Sequence, residues 1–410
     1  MSLSCAFCNA PLEHTFVDLG TTPLANRYLT EEMLSQPEPT YPLHARICAK
    51  CLLVQVEPAV PAEDIFGDYA YFSSYSTSWL EHARRYSEEA IQRFNLGPSS
   101  RVIEVASNDG YLLKNFVAAG IPCLGVEPAR NIAEAAIKSG VPTEAVFFGK
   151  ETAKKILAEG GTANLMVANN VLAHVPDIND FVGGFAILLA PDGVISIEVP
   201  HILKLIEQTA FDTIYHEHYS YFSFYTLEKI FAAHGLRIFD VAELPSHGGS
   251  LRLWVCHDLA HAATPAVEKL RQKEAAAGLQ KLEGYRGFDA KVKHICQGFI
   301  DFVEQQELMG KQVAAYGAAA KGNTLLNVCN VTPEQIRYVC DLNPAKQGLY
   351  LPGSHIPIFS PDKIRETKPD FLVIMPWNLA REITQQMQEI TSWGGQFVTA
   401  IPSLQMKKAA

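Results

Sequence analysis

The chain has 410 residues, too many for one compact core, so two or three domains are expected. Hydrophobic residues make up 48% and charged residues 19%, the balance of a soluble globular protein. The net charge of −10 argues against nucleic acid as the main partner, because phosphate backbones demand clustered Lys and Arg.

The N-terminus lacks a basic segment followed by an apolar run, so no signal peptide is expected. The most apolar stretch, 181–199, is broken by Pro191, Asp192 and Gly193 and reads as helix, turn and strand, not as a membrane span. Cytoplasmic is the reading. Residues 1–65 are rich in Pro and turn formers, with short strand-like pieces such as 52–56, and predict a small domain with little core of its own. They carry two C-x-x-C knuckles, Cys5/Cys8 and Cys48/Cys51. In a reducing compartment four such thiolates suit tetrahedral zinc, and with every coordination position filled the ion would be structural. Four unrelated buried cysteines and a redox pair are the alternatives; neither knuckle opens a helix after a strand, which counts against the second. Cys123, Cys256, Cys296, Cys329 and Cys340 lie in apolar surroundings and read as core.

Residues 66–256 alternate strands with helices, the pattern of a parallel sheet covered on both faces. A helix over 78–94 precedes the strand RVIEVA, the turn SNDG and the helix YLLKNFVAAG. Next come the strand PCLGVEP, a helix through Ile137, a strand-like piece around Val146 and the strand NLMVANN. After a further helix VISIEVP is the next strand, and RIFDVAEL with LRLWVCH predicts a β-ribbon closing the sheet. The first turn is where such sheets bind nucleotide-like cofactors. Glu104 ends its strand, Asn108, Asp109 and Gly110 form the turn, and Glu127 ends the next strand, placed to accept from both ribose hydroxyls. On these residues alone NAD competes with S-adenosylmethionine. The G-x-G-x-x-G of dinucleotide folds is missing, whereas a sulfonium cation needs no phosphate cradle and tolerates the acids.

Beyond the fifth strand, Asp212-Thr-Ile-Tyr215-His216-Glu217-His218-Tyr219 concentrates titratable groups at the open end of the sheet. In an extended segment Tyr215 and Glu217 share one face, with His216 and His218 opposite; a loop would bring several together. A His poised near neutral pH can remove a proton alpha to a carbonyl, and a Tyr hydroxyl can stabilise the enolate. A metal pair of His216 and His218, or plain polar residues on a strand edge, are the alternatives. His174, in Asn169-Asn170-Val-Leu-Ala-His174, is a second candidate.

A charged helical stretch over 264–310 leads into a second, smaller alternation: QVAAYG, a helix from Thr324, RYVCDLNP, DFLVIMP, a helix through Ile390 and QFVTAIP. Gly317 and Gly322 around Lys321 resemble a phosphate-binding turn, and Asp341 looks like the ribose ligand of a dinucleotide fold.

The C-x-x-C pairs, YFSSYS, EVASNDGYLL, NNVLAHV, IYHEH, SHGGSLR and YGAAAKGNTLLN run in order over almost the whole chain. Jointly they resemble the zinc-containing sugar-nucleotide C-methyltransferases of deoxysugar biosynthesis, which use S-adenosylmethionine to methylate C-3 of nucleotide-linked 4-keto-deoxysugars. The resemblance implies an α/β fold: a class I methyltransferase (Rossmann-like) domain over 66–256, a small zinc-binding domain over 1–65, and a C-terminal Rossmann-like domain with its helical linker over 257–410. It makes His218 the base at C-3, puts Tyr215 near the keto oxygen, and gives Glu217 and His174 supporting roles. By the same resemblance Glu104, Asn108, Asp109, Gly110, Glu127, Phe147, Asn169 and Asn170 hold S-adenosylmethionine. Tyr69, Tyr75, His247, Arg252 and Lys321 hold the sugar nucleotide, the last three near its diphosphate, and Cys5, Cys8, Cys48 and Cys51 bind Zn2+. Ala106 departs from the wider superfamily, where glycine is usual.

Two rival readings stand beside this one: a methyltransferase with a different small-molecule acceptor, and a zinc-ribbon interaction protein retaining a non-catalytic methyltransferase fold. The intact Glu104, Asp109, Gly110 and Glu127 argue against the latter. No nucleic-acid or membrane partner is expected, and the sequence leaves the oligomeric state open, with a monomer as the simplest reading.

Overall fold

A computed structural model describes residues 3–61, 65, 73–75 and 77–407; Tyr69 lies outside them, and of Tyr75 only the backbone is described. Three sheets organise the described residues. In the first, β1 (His14–Thr22), β2 (Tyr41–Ile47) and β3 (Val54–Val56) pair antiparallel. Its fourth strand is Ser220–Tyr221, from far along the chain, paired with Val54 and Gln55. The expectation of little core needs correcting. Phe16, Val17, Leu43 and Ile47 belong to one hydrophobic cluster with Phe288 and Phe299 of the helix Phe288–Leu308, and Phe16 stacks on Phe288 at 4.5 Å. A small sheet that cannot bury its own apolar face borrows a partner.

The second sheet contains β4 (Val102–Val105), β5 (Cys123–Val126), β6 (Thr143–Glu144), β7 (Ala163–Asn169), β8 (Leu189–Pro200), β10 (Leu236–Leu244) and β11 (Ser250–His257); β9 is the Ser220–Tyr221 strand of the first sheet. Numbered within the sheet, the order is 3-2-1-4-5-7-6, parallel except for β11, which runs antiparallel to both neighbours. All four residues of β4 are buried, as a central parallel strand requires. The order reverses between β4 and β7, so ligand is expected at their carboxyl ends.

Two local expectations change. The strand expected around Val146 is Thr143–Glu144, and the helix Lys150–Gly160, which the pattern reading passed over, separates it from β7. Its signal was available: a run of good helix formers with buried Ala153 and Ile156 three apart. Pro191-Asp192-Gly193 is absorbed as an irregularity of β8, where the register steps from Ala163↔Leu189 to Leu165↔Val194.

The third sheet holds β12 (Val313–Tyr316), β13 (Val339–Cys340), β14 (Ile358–Phe359), β15 (Phe371–Ile374), β16 (Gln396–Thr399) and β17 (Gln405–Lys407). Numbered within the sheet its order is 3-2-1-4-5-6, with only β17 antiparallel. This is the doubly wound order of dinucleotide-binding folds. The helix after β12 starts at Ala320, one turn before the expected Thr324.

The linker helix Pro265–Ala276 is fastened by Glu274. This buried carboxylate pairs with His201 at 2.6 Å and accepts the backbone amides of Phe224 (2.6 Å) and Tyr225 (2.9 Å), at the start of the helix Phe224–Ala232. An acid at a helix N-terminus satisfies amides that have no partner within the helix.

Candidate active site

The turn after β4 is built on three left-handed residues: Ala106 (φ +56°), Asn108 (φ +50°) and Gly110 (φ +78°). Only Gly110 is sterically obligatory, since a Cβ there would come within 2.8 Å of Val141. Glu127 fixes the turn from β5, accepting from Asn108 N (2.9 Å) through one oxygen and from Ala129 N (3.0 Å) through the other. The segment 73–74 rests on the same turn: Ser73 N donates to Asn108 Oδ1 (2.8 Å) and Ser74 N to Asp109 Oδ2 (3.1 Å).

Glu104 is 1% exposed, and burial, aided by Glu127 and Asp109, pushes its carboxyl well above the usual range. Burial also raises Glu127, partly offset by its two amides. Glu104 Oε2, Asp109 Oδ1, Asn169 Oδ1 and both side-chain polar atoms of Asn170 are buried without a hydrogen-bond partner. Orphaned buried acceptors are costly, and most of this set are acceptors. A ligand bringing hydroxyls, an amine and positive charge satisfies most of them, which is the chemistry of S-adenosylmethionine; a pyrophosphate, bringing only acceptors, suits the set poorly. Phe147 is 42% exposed in the segment before the helix Lys150–Gly160.

The Tyr215–His218 segment is a turn, closed by His218 N donating to Tyr215 O at 2.9 Å. Strand alternation therefore fails, and Tyr215 and His218 face each other. The Tyr215 hydroxyl lies 2.8 Å from His218 Nε2, while His218 Nδ1 lies 2.9 Å from Thr213 O. A carbonyl can only accept, so Nδ1 carries the proton and Nε2 is the basic nitrogen. His174 is fixed the same way, its Nδ1–H donating to Glu217 O at 2.7 Å, and its ring meets that of His218 edge-on at 4.6 Å. Burial, then the neighbouring His174, holds His218 well below the ordinary histidine value; burial brings His174 down to about 4. Both rings are neutral at physiological pH. Glu217, raised by burial, accepts from Asn26 Nδ2 at 3.3 Å. His216 turns away to Pro42 O (3.3 Å), which removes the His216–His218 metal pair.

His218 and Thr213 border a cavity of about 30 Å³ whose far wall includes His247, Gly248 and Gly249. Lys321 Nζ reaches the His247 carbonyl and Asn378 Oδ1, each at 3.4 Å, and lies 5.2 Å from the Trp377 ring. Burial lowers its ammonium, with Asp212 opposing. Lys321 and His247 are thus brought together beside the candidate base.

Arg252 is already engaged. It is 7% exposed, pairs with Glu198 (2.7 Å) and Glu89 (3.0 Å), and lies over Tyr86, while His82, beside it, also lies 3.0 Å from Glu198. Two carboxylates thus compensate its charge inside the fold. Asp341 is likewise engaged, accepting from Ala318 N and Asn343 N at 2.8 Å each. The crevice beside it is filled by the protein itself: Tyr28 (2.7 Å) and Lys346 (2.6 Å) both donate to Ala318 O, and a Cβ on Gly317 (φ +95°) would meet Pro376 at 2.5 Å.

The cysteine knuckles share one geometry. Cys5 N donates to Ala10 O (2.8 Å) and Cys48 N to Leu53 O (3.0 Å), and each knuckle is followed by a left-handed residue, Asn9 or Leu52. The four sulfurs lie within 4.8 Å of one another, and are the one group among the described residues able to hold a metal ion. Zinc–sulfur bonds of about 2.3 Å in a tetrahedron place sulfurs about 3.8 Å apart, so the set fits zinc. Gln55 of β3 braces the first knuckle, donating to Cys5 Sγ (3.3 Å) and accepting from Ala6 N (2.8 Å).

Three family models match in chain order: "Putative zinc binding domain" over 5–66, "Methyltransferase domain" over 79–241 and "C-methyltransferase C-terminal domain" over 245–402. C-methyltransferase NovU of Streptomyces niveus is 36% identical over 387 residues, 94% of this chain and 92% of that protein. The chain belongs to the C-methyltransferase family. As such it is an S-adenosylmethionine-dependent methyltransferase with a structural zinc site. Among solved structures, magnesium protoporphyrin IX methyltransferase from Synechocystis is 14% identical, covering 48% of this chain and 89% of that one at a TM-score of 0.33. A methyltransferase from Anabaena variabilis is 18% identical, with 43% and 85% covered at 0.35. At such values the fold rests on the strand order.

The sequence reading of this C-methyltransferase passed over Ser107, fully buried with its hydroxyl unpartnered beside the cofactor turn, and Thr213, whose carbonyl sets the His218 tautomer. Ser107 lies inside the SNDG motif and was findable there; a backbone carbonyl leaves no mark on sequence.

Proposed function

We propose that this C-methyltransferase acts at C-3, next to the ketone, of a nucleotide-linked 4-keto-deoxysugar. The observation that carries the reading is the neutral His218, its Nε2 turned to the Tyr215 hydroxyl and its Nδ1–H held by Thr213 O. When substrate enters, the Tyr215 hydroxyl leaves Nε2 for the keto oxygen. The freed Nε2 takes the C-3 proton, and the electron pair moves into an enolate stabilised by that hydroxyl. S-adenosylmethionine, when bound, supplies the electrophilic methyl carbon to which C-3 becomes bonded, and leaves as S-adenosylhomocysteine.

In this reading Glu127 and the 108–110 turn hold ribose and amino acid, with Glu104, Asn169, Asn170 and Phe147 completing the pocket. His174 and Glu217 fix the loop that carries the base. Lys321 and His247 face the diphosphate. The three units, 1–65, 66–256 and 257–410, divide the work into scaffold, chemistry and substrate binding in a reducing cytoplasm.

The test is C-3 deuterium uptake in heavy water from a 4-keto-6-deoxysugar nucleotide, with and without S-adenosylmethionine. Exchange, with methyl incorporation when the cofactor is present, supports the reading. Retained cofactor binding with neither event would move the acceptor to another small molecule.

A further inference from the structure

The C-terminal lobe has the strand order of a dinucleotide-binding domain, yet its crevice is closed by Tyr28, Lys346 and Pro376. Its helix Ala320–Val328 packs instead against the 211–213 turn, just ahead of the candidate base. Thr324 Oγ1, buried, donates to Ile214 O at 3.1 Å; the alternative acceptor, Ala320 O one turn back, is farther at 3.3 Å. Trp377 Nε1 donates to Asp212 Oδ2 at 2.8 Å, and Asp212 is itself 1% exposed. Between Asp212 and Ile214 lies Thr213, the residue whose carbonyl fixes His218. Two hydrogen bonds from one lobe thus bracket the one peptide group that sets the tautomer of the base.

We propose that Thr324 and Trp377 are positioning residues: through Ile214 and Asp212 they hold the Thr213 carbonyl where it keeps His218 Nε2 basic and aimed at the substrate. The inference rests on the reading of His218 as the base. It gives the C-terminal lobe a part in the chemical step besides substrate binding. Neither residue touches reacting atoms, so the effect falls on the catalytic rate. Displacement of a catalytic group by an ångström costs up to about a hundredfold.

The test pairs T324V with T324S in the full-length zinc-loaded protein, with W377F as a second route to the same carbonyl. Two quantities are read: kcat and KM for C-3 methyl transfer, and hydrogen–deuterium exchange of the 211–218 amides, which needs no substrate. T324V is expected to lower kcat about ten- to hundredfold, with KM and S-adenosylmethionine affinity unchanged within about twofold, and to speed exchange selectively over 211–218. T324S, which keeps the hydroxyl, restores both. An unchanged kcat and loop exchange in T324V overturns the proposal, as does a rise in KM alone, which would leave the lobe as a binding element only. If the wild-type protein shows no C-3 chemistry while binding S-adenosylmethionine, the substrate reading fails, and the exchange comparison of T324V with T324S still decides whether the lobe fixes the loop.

Discussion

At His218 two hydrogen bonds fix the tautomer on which the proposed base role rests. The Thr213 carbonyl makes Nδ1 the donor, so Nε2 is left as base, and burial keeps the ring unprotonated where an ordinary histidine would be half charged. The sign follows: a base whose pKa is depressed is lost only as pH falls well below 6.5. The acid limb of kcat is therefore expected below the ordinary histidine range, with a flat profile through pH 6.5 to 8; a limb centred at 6.5 or higher would place the base elsewhere. H218N should lower C-3 exchange by at least about a hundredfold and leave S-adenosylmethionine binding intact by calorimetry. Glu127 has a different task. It orders the 108–110 turn through Asn108 and, in the proposed reading, accepts from the ribose, so E127A should weaken cofactor binding by about 1.5–3 kcal/mol in the same titration. Unchanged affinity would remove it from the ribose.

Among the elements, the linker helix Pro265–Ala276 depends on one side chain. Glu274 satisfies two helix-terminal amides and His201 at once, all in the interior. E274A should cost about 3–5 kcal/mol in urea unfolding, and a loss below about 1 kcal/mol would mean that water replaces the carboxylate. The periodic elements were legible in the sequence because burial on both faces writes continuous apolar runs, as in β4 and β7. So were the knuckles, each of which sets two cysteines three positions apart. Two kinds of feature were not. The Tyr215–His218 segment reads equally as an alternating strand or as a loop, and it closes as a turn in which Tyr215 and His218 gain a mutual hydrogen bond. Arg252 reads as a cation seeking phosphate, yet Glu198 lies 54 positions back and only the β8–β11 pairing brings them face to face. Thr324–Ile214 and Trp377–Asp212 span 110 and 165 positions, beyond any local pattern.

On the scale of the molecule, the zinc unit and the 215–218 loop are not separate. β3 pairs with Ser220–Tyr221, two residues beyond His218, and Asn26 holds Glu217. Chelation should lower the melting temperature and erode activity in parallel as the N-terminal sheet loosens, with recovery on adding zinc. Immediate inhibition with the fold intact would instead make the metal a participant in the reaction. No helix among the described residues is long and apolar enough to cross a membrane.

Ser220–Tyr221 belongs to the middle domain by chain order and to the N-terminal sheet by its ladder. A cut near residue 65 would therefore strip β3 of a neighbour and leave two raw strand edges, each a template for association with other chains. Shuffling domains among relatives faces the same seam. A chimera that exchanges residues 1–65 without the 211–224 stretch joins strands that never matured together. The heritable module of this enzyme is the pair of segments, and swaps that move both should yield folded, active hybrids where single-segment swaps aggregate.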